Sequence, residues 1–313
     1  MEKLIVSSSP HIHAKTSTTA IMRDVLIALF PATVAGVVLF GLKALSIILV
    51  CVASAVLSEF LFNLIVKKKQ TIGDLSAAVT GLILALCLPT TTELWQCALG
   101  SVFAIVVVKC LFGGIGCNFA NPAATARVFL LVAFATSVAG GTATRFASPD
   151  LVASATPLEV IKYGDASTLP SLTDMFLGNR GGAIGETCAL ALIIGGIYLI
   201  ARRVIYWHTP AIYIATVFVL SLAIKQDLTL ALYEVLGGGL LIAAFFMITD
   251  YVSTPINKGG KMVFAFGCGI ITVLIRFWGG YPEGVSFAIL LMNILSPYIE
   301  KLCTKKPLGK VGK

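Results

Sequence analysis

The chain has 313 residues, of which 58% are hydrophobic and 12% charged, with a mean hydropathy of +0.95 and a formal net charge of +8. Soluble domains carry about 25% charged residues, so a single water-soluble core is excluded and the composition defines an integral membrane protein. The positive balance carries no meaning until its distribution along the chain is known.

The first residues, "MEKLIVSSSPHIHAKTSTTA", contain no continuous apolar core and no small-residue cleavage site, so residues 1–21 read as a polar tail. Apolar stretches long enough to cross a bilayer follow near 22–42, 45–66, 74–90, 94–112 and 122–139. A polar insert occupies 140–183, and five more stretches lie near 184–201, 210–224, 230–249, 261–277 and 284–300, before a basic tail over 301–313. With the N-terminus in the cytoplasm, 17 of the 23 Lys and Arg residues, Arg127 among them, fall on the cytoplasmic side, where cationic loops are retained. The basic balance is therefore a topology signal and not a nucleic-acid footprint.

The two halves echo each other. "GDLSAAVTGLILALCLP" (73–89) has its counterpart in "GGLLIAAFFMITDYVSTP" (238–255), and "FGGIGCNFANPAATARVF" (112–129) in "WGGYPEGVSFAILLMN" (278–293). Five spans is an odd number, so the second copy enters the membrane inverted. The expected fold is all-α: about ten transmembrane helices as two inverted five-helix repeats, with a long outer loop between them. Gly/Pro-interrupted segments in matching positions mark where backbone can line a buried site.

The eight cysteines form no CxxC pair, and most sit in apolar runs, where Cys packs as a small hydrophobe. His11 and His13 are two ligands at most, short of a metal site. In the outer loop, Thr156-Pro157-Leu158-Glu159 has the pattern of a capping box, with Thr156 as N-cap, Pro157 at the first helical position and Glu159 at the third.

The segments "GDLSAAVTGLILALCLP", "FGGIGCNFANPA", "SATPL", "GGAIGETCALALIIGG", "FFMITDYVSTPINKGGK" and "GGYPEGVSFAILLMN", in this order over nearly the whole chain, resemble the RnfD/NqrB family. This family comprises the D subunit of the Rnf ion-translocating ferredoxin:NAD oxidoreductase and the B subunit of the sodium-translocating NADH:quinone oxidoreductase, and the short N-terminus is closer to the former. The resemblance implies covalent FMN, joined through its phosphate to a threonine by a flavin transferase. The acceptor pattern aligns with Asp150–Thr156, where Asp150, Ala155 and Thr156 match and Leu151, Ala153 and Ser154 depart from the strictest form. Thr156 is then the acceptor as well as a cap, and a helix N-terminus favours phosphate.

Around it, Gly181, Gly182 and Glu186 of "GNRGGAIGET" and Tyr281 and Glu283 of "GGYPEGVSFA" are expected on the same outer side as further flavin contacts, with Ser154 beside the acceptor. Tight helix packing explains the glycines equally well, and an interfacial aromatic belt explains Tyr281. On the cytoplasmic side, Asn118 and Asn121 are the candidate contacts of a second, non-covalent riboflavin that the resemblance implies, with Arg127 at the start of the fifth span. Asp74 and Asp250 read as caps or interfacial charges. Other subunits of the same oxidoreductase and the lipid bilayer are the expected partners. A non-redox channel or solute transporter would use the same inverted repeat, and a scaffold would use the same apolar spans. Neither gives the long loop a task.

Overall fold

The computed structural model describes residues 17–142, 144, 156–163 and 169–304. Ser154 and the rest of the acceptor pattern before Thr156 lie outside the described residues, as do the polar N-terminal tail and the end of the basic C-terminal one. The described residues are helical throughout, without a β-strand. The only extended pairing among them is an isolated bridge between Thr142 and Gly182.

Local chemistry sets the first five elements. Ser17 accepts from the backbone N–H of Ala20 and opens α1 (Thr18–Phe40), and Gly41, at φ +79°, turns the chain into α2 (Leu42–Ile65). Asp74 accepts from the backbone and hydroxyl of Ser76 and starts α3 (Ser76–Leu86). Glu93 and Gln96 form a capping box on α4 (Leu94–Val102), which widens into a π-helix over Phe103–Cys110. Asn121 accepts from the N–H groups of Ala123 and Ala124, and Pro122 takes the first position of α5 (Pro122–Ala133). That first position suits a residue without an N–H.

Three short helices follow, α6 (Ala135–Val138), α7 (Pro157–Tyr163) and α8 (Leu172–Leu177). The second half comprises α9 (Ala189–Ala201), α10 (His208–Lys225), α11 (Leu228–Leu236) and α12 (Leu240–Ile242), the last continuing as a π-helix over Ala243–Met247. It ends with α13 (Lys258–Trp278) and α14 (Val285–Cys303). All ten anticipated apolar stretches are helical, and α1, α2, α3, α4 and α5 correspond in order to α9, α10, α12, α13 and α14 at the spacing of the sequence repeat.

Their lengths depart from the expectation. Among the described residues, only α1, α2, α10, α13 and α14 are long enough and apolar enough to cross a membrane as single helices; α11 and α12 with its π-helical extension reach that length together, bent by 61° at the break between them. At 1.5 Å per residue, the 11 residues of α3 reach about 16 Å, roughly half of a hydrocarbon core. α5 and α9 are nearly as short. Hydropathy averaged over a window runs helix and flanking loop together, because the loops here are themselves apolar and buried. The long helices lie at the periphery and expose Phe30, Leu49 and Leu64, whereas α3, α12 and its π-helical extension are buried almost throughout. Short elements ending inside the molecule leave helix termini at membrane depth, and those ends must be satisfied by protein.

Candidate functional site

Thr156 is buried, 6% exposed, at the start of α7. Its Oγ1 accepts from the N–H of Glu159 at 3.3 Å, and its own N–H donates to Glu159 Oε2 at 2.8 Å, which is the capping box read from the sequence. The methyl side of Thr156 lies against backbone. A Cβ placed on Gly141 would fall 2.7 Å from Thr156 Cγ2 and 3.0 Å from the nitrogen of Gly182. Gly182 in turn exchanges both backbone hydrogen bonds with Thr142 (3.1 and 3.3 Å), with Gly181 preceding it. α7 is fastened to the loop before α14: Lys162 Nζ donates to the carbonyls of Gly279 (2.5 Å) and Tyr281 (2.9 Å), and Tyr163 Oη to that of Gly280 (3.1 Å). The Tyr281 ring stacks on Phe287, 5.2 Å between centroids. The structure therefore gathers Thr156, Gly182 and Tyr281 around one short helix.

Glu186 and Glu283 meet on Arg127. One guanidinium nitrogen is 2.6 Å from Glu186 Oε1, and the other bonds Glu283 Oε2. The sequence grouped Arg127 with Asn118 and Asn121 at the start of the fifth span; the structure pairs it instead with Glu186 and Glu283. α5 is only 12 residues long, so Arg127, in its middle, reaches loops expected on the outer side and forms part of a buried ionic centre. The centre abuts the break between α11 and α12. A Cβ on Gly239 would meet Glu186 Oε1 at 2.9 Å and Arg127 Nη1 at 3.1 Å, and Gly238 adopts φ +62°, a conformation only glycine takes freely.

Two arginines that sequence reasoning did not single out complete this layer. Arg180, 2% exposed, donates to the carbonyls of Thr187 (3.3 Å), Glu186 (2.7 Å) and Leu236 (2.7 Å). Arg276, 3% exposed, donates to the carbonyls of Glu234 (2.5 Å) and Gly237 (3.3 Å) and pairs with Glu234 Oε2 at 3.0 Å. The carbonyls of Glu234, Leu236 and Gly237 belong to the end of α11, where a helix leaves its last acceptors unpaired. In lipid those acceptors have no water, and the two arginines take its place. The available signal was ionisable residues inside apolar segments; what they pair with is set by tertiary packing.

A second site lies toward the opposite end of α1. Ile21, Met22 and Val25 of α1 line a cavity with Asn118, Asn121, Lys109, Ser76 and Asp250, enclosing about 780 Å³ of empty space out to its mouth. Leu39, near the other end of α1, packs instead beside Gly178 of the insert. Asn121 Nδ2 donates to Met247 O (3.4 Å), tying α5 to the π-helix, while Asn118 Oδ1 is buried without a partner among the described residues. Lys109 Nζ donates to Glu59 Oε1 (2.8 Å) and Ser76 Oγ (2.6 Å), a buried pair that sequence reasoning also passed over. Asp250 accepts from Ser253 Oγ at 2.7 Å and, like Asp74, serves as a local cap. Burial raises the Asp250 carboxyl above its ordinary value, opposed by the Ser253 hydroxyl and nearby backbone N–H groups.

Short half-helices meeting at a broken span, a buried layer of paired Arg and Glu, and a polar-rimmed cavity at the other end define a multi-pass membrane protein with two internal polar sites. The chain belongs to the NQR2, RnfD, RnfE family, whose description matches residues 5–309. It is 46% identical over 309 residues to the D subunit of the Na(+)-translocating ferredoxin:NAD(+) oxidoreductase complex of Acetobacterium woodii, covering 98% of this chain and 95% of that one. To the D subunit of the proton-translocating ferredoxin:NAD(+) oxidoreductase complex of Clostridium ljungdahlii it is 40% identical, covering 95% and 93%. To the D subunit of the ion-translocating oxidoreductase complex of Stutzerimonas stutzeri it is 35% identical, covering 95% and 93%.

Proposed function

We propose that this protein is the membrane electron-transfer subunit of an ion-translocating ferredoxin:NAD oxidoreductase complex, carrying covalent FMN on Thr156 at the outer face of the cell membrane. The observation that carries the flavin reading is the setting of Thr156. Among the described residues its hydroxyl engages only one backbone N–H, so the oxygen can carry a phosphoester and still cap α7. Gly141 lets the backbone pack directly on the methyl side of Thr156, which fixes the side chain's orientation. Gly181, Glu186, Tyr281, Glu283 and Ser154 are the further residues assigned to this flavin. The group supplies one- and two-electron transfer when bound; position and local charge come from the protein. Here α7 fixes Thr156 through Lys162 and Tyr163, and the Arg127–Glu186–Glu283 centre supplies fixed charge beneath.

A second, non-covalent riboflavin is assigned to the cavity, held by Asn118 and Asn121. Asn118 Oδ1 is an acceptor without a donor, and an isoalloxazine or ribityl group offers N–H and O–H donors. Electrons pass through this subunit between flavins and the redox centres of partner subunits, coupled to movement of H⁺ or Na⁺, with both termini in the cytoplasm and a separate flavin transferase needed for maturation. Moving one charge against 100 mV costs about 2.3 kcal/mol, so electron flow has to be tied to a structural element on the ion's path.

Peptide mass spectrometry of the chain from its native membrane tests the flavin assignment. The peptide covering Thr156 is expected to carry one FMN less water, and Thr156→Ala to lack it; an unmodified native peptide overturns the assignment and leaves Thr156 as a cap. Gly141→Ala drives a methyl into Thr156 Cγ2 and is expected to lower the flavinylated fraction several-fold while the protein still inserts, read by in-gel flavin fluorescence against total protein.

A further inference from the structure

A smaller cavity lies beside α7; apart from Lys162, which also fastens that helix, none of its lining residues is assigned to a flavin. Its volume is about 80 Å³, between Leu158 and Lys162 of α7, Lys225 of α10, Glu234 of α11, and Arg276 and Phe277 of α13. Three cations face one carboxylate. Arg276 and Glu234 cancel at 3.0 Å, and Arg276 Nε stays buried with no hydrogen-bond partner among the described residues. Lys162 donates only to two backbone carbonyls, and Lys225 lies over the Phe277 ring, 5.3 Å from its centroid. Neither lysine has a carboxylate within ion-pair distance among the described residues.

Two lysines 63 positions apart in sequence have thus been packed around one hollow although like charges repel. Each cation sits in the last turn of its helix, where the negative end of the dipole offsets part of the charge, about half a unit per helix. This keeps the cations in place without cancelling them. Tyr163 and Trp278, each next in sequence to a lining residue, carry exposed rings of the kind that populate an interfacial aromatic belt.

We propose that this cavity is a binding site for a phosphate-ester anion, with Lys162, Lys225 and Arg276 as its donors. A tetrahedral group with several charged oxygens can meet donors from three directions, which a planar carboxylate cannot. At the depth of the aromatic belt, the abundant source is the headgroup phosphate of an anionic phospholipid; free phosphate and the phosphate of a flavin carry the same chemistry. The inference stands whether or not Thr156 is flavinylated.

The test uses the full chain, delipidated in a neutral detergent, and follows its thermal unfolding midpoint during titration with phosphatidylglycerol, phosphatidylcholine of the same chains, or inorganic phosphate. Phosphatidylglycerol is expected to raise the midpoint by several degrees and phosphatidylcholine to leave it unmoved. Lys162→Gln with Lys225→Gln is expected to raise the half-saturating concentration roughly tenfold or more, at a contribution of about 1 kcal/mol per lysine. The corresponding Lys→Arg pair retains binding and shows that the fold tolerates change at both positions. Stabilisation by inorganic phosphate at equal concentration supports the site and identifies free phosphate as its source. Stabilisation that appears only in Thr156→Ala identifies the flavin phosphate as the native occupant. No shift with any phosphate compound in either protein overturns the proposal, as does an equal shift with phosphatidylcholine or an unchanged half-saturation in the Lys→Gln pair.

Discussion

Arg127→Gln is expected to destabilise the protein by about 3–5 kcal/mol, the cost of removing one partner from a buried ion pair. The reason is the count of charges. Arg127 alone separates Glu186 from Glu283, so its loss leaves two carboxylates side by side in the interior, one of them only 3% exposed. The reverse change should be far milder. Glu283→Gln leaves Arg127 paired one-to-one with Glu186 and removes a net negative charge, so its cost should be closer to that of a lost charged hydrogen bond, about 1.5–3 kcal/mol. Chemical denaturation of the purified chain in detergent would measure both. Equal losses in the two variants would mean that the second carboxylate is compensated by a group other than Arg127.

Lys109→Met is the second large effect, again about 3–5 kcal/mol. Lys109 and Glu59 are 3% and 2% exposed, and Glu59 Oε2 already lacks a partner among the described residues. With Lys109 gone, Thr71 Oγ1, at 2.6 Å from Glu59 Oε1, is the remaining donor to that carboxylate. Adding Glu59→Gln to Lys109→Met removes the stranded charge and should restore most of the loss, because a buried pair replaced whole is often neutral. A double-mutant cycle on unfolding free energy checks this. Additive losses would show that the two groups do not interact. Since Lys109 also lines the Asn118 cavity, the same variant should weaken retention of any non-covalent flavin during purification.

What the sequence made legible follows from the range of each interaction. The capping box at Thr156 and Glu159 spans four residues and depends on nothing else, so the structure reproduces it. The repeat was legible because matching Gly-led and aromatic-Gly-Gly segments recur at one spacing, and the helices correspond at that spacing. Span lengths were not, because the C-terminal end of α3 and the N-terminal ends of α5 and α9 are buried in protein, and a hydropathy window runs past them. Arg127 was grouped with Asn118 and Asn121 for the same reason: a positive-inside count assumes that a cation lies at a span end, and this one lies within a half-length helix, paired with Glu186 and Glu283. Arg180, Arg276 and Glu234 carry no local motif. The two arginines reach carbonyls at the end of α11 that lie 39 to 56 residues away, a relation that only the folded chain contains.

The break between α11 and α12 carries one more consequence. An interrupted transmembrane helix is often a place where a protein flexes, because freed carbonyls and glycines lower the cost of bending. Here the freed carbonyls of Glu234, Leu236 and Gly237 are gripped by guanidiniums reaching in from α13 and from the turn before α9. Opening or straightening this corner would strip three charge-assisted hydrogen bonds from the end of α11. The joint is therefore braced like a welded elbow. α11 and α12 are expected to keep their mutual angle whatever their neighbours do.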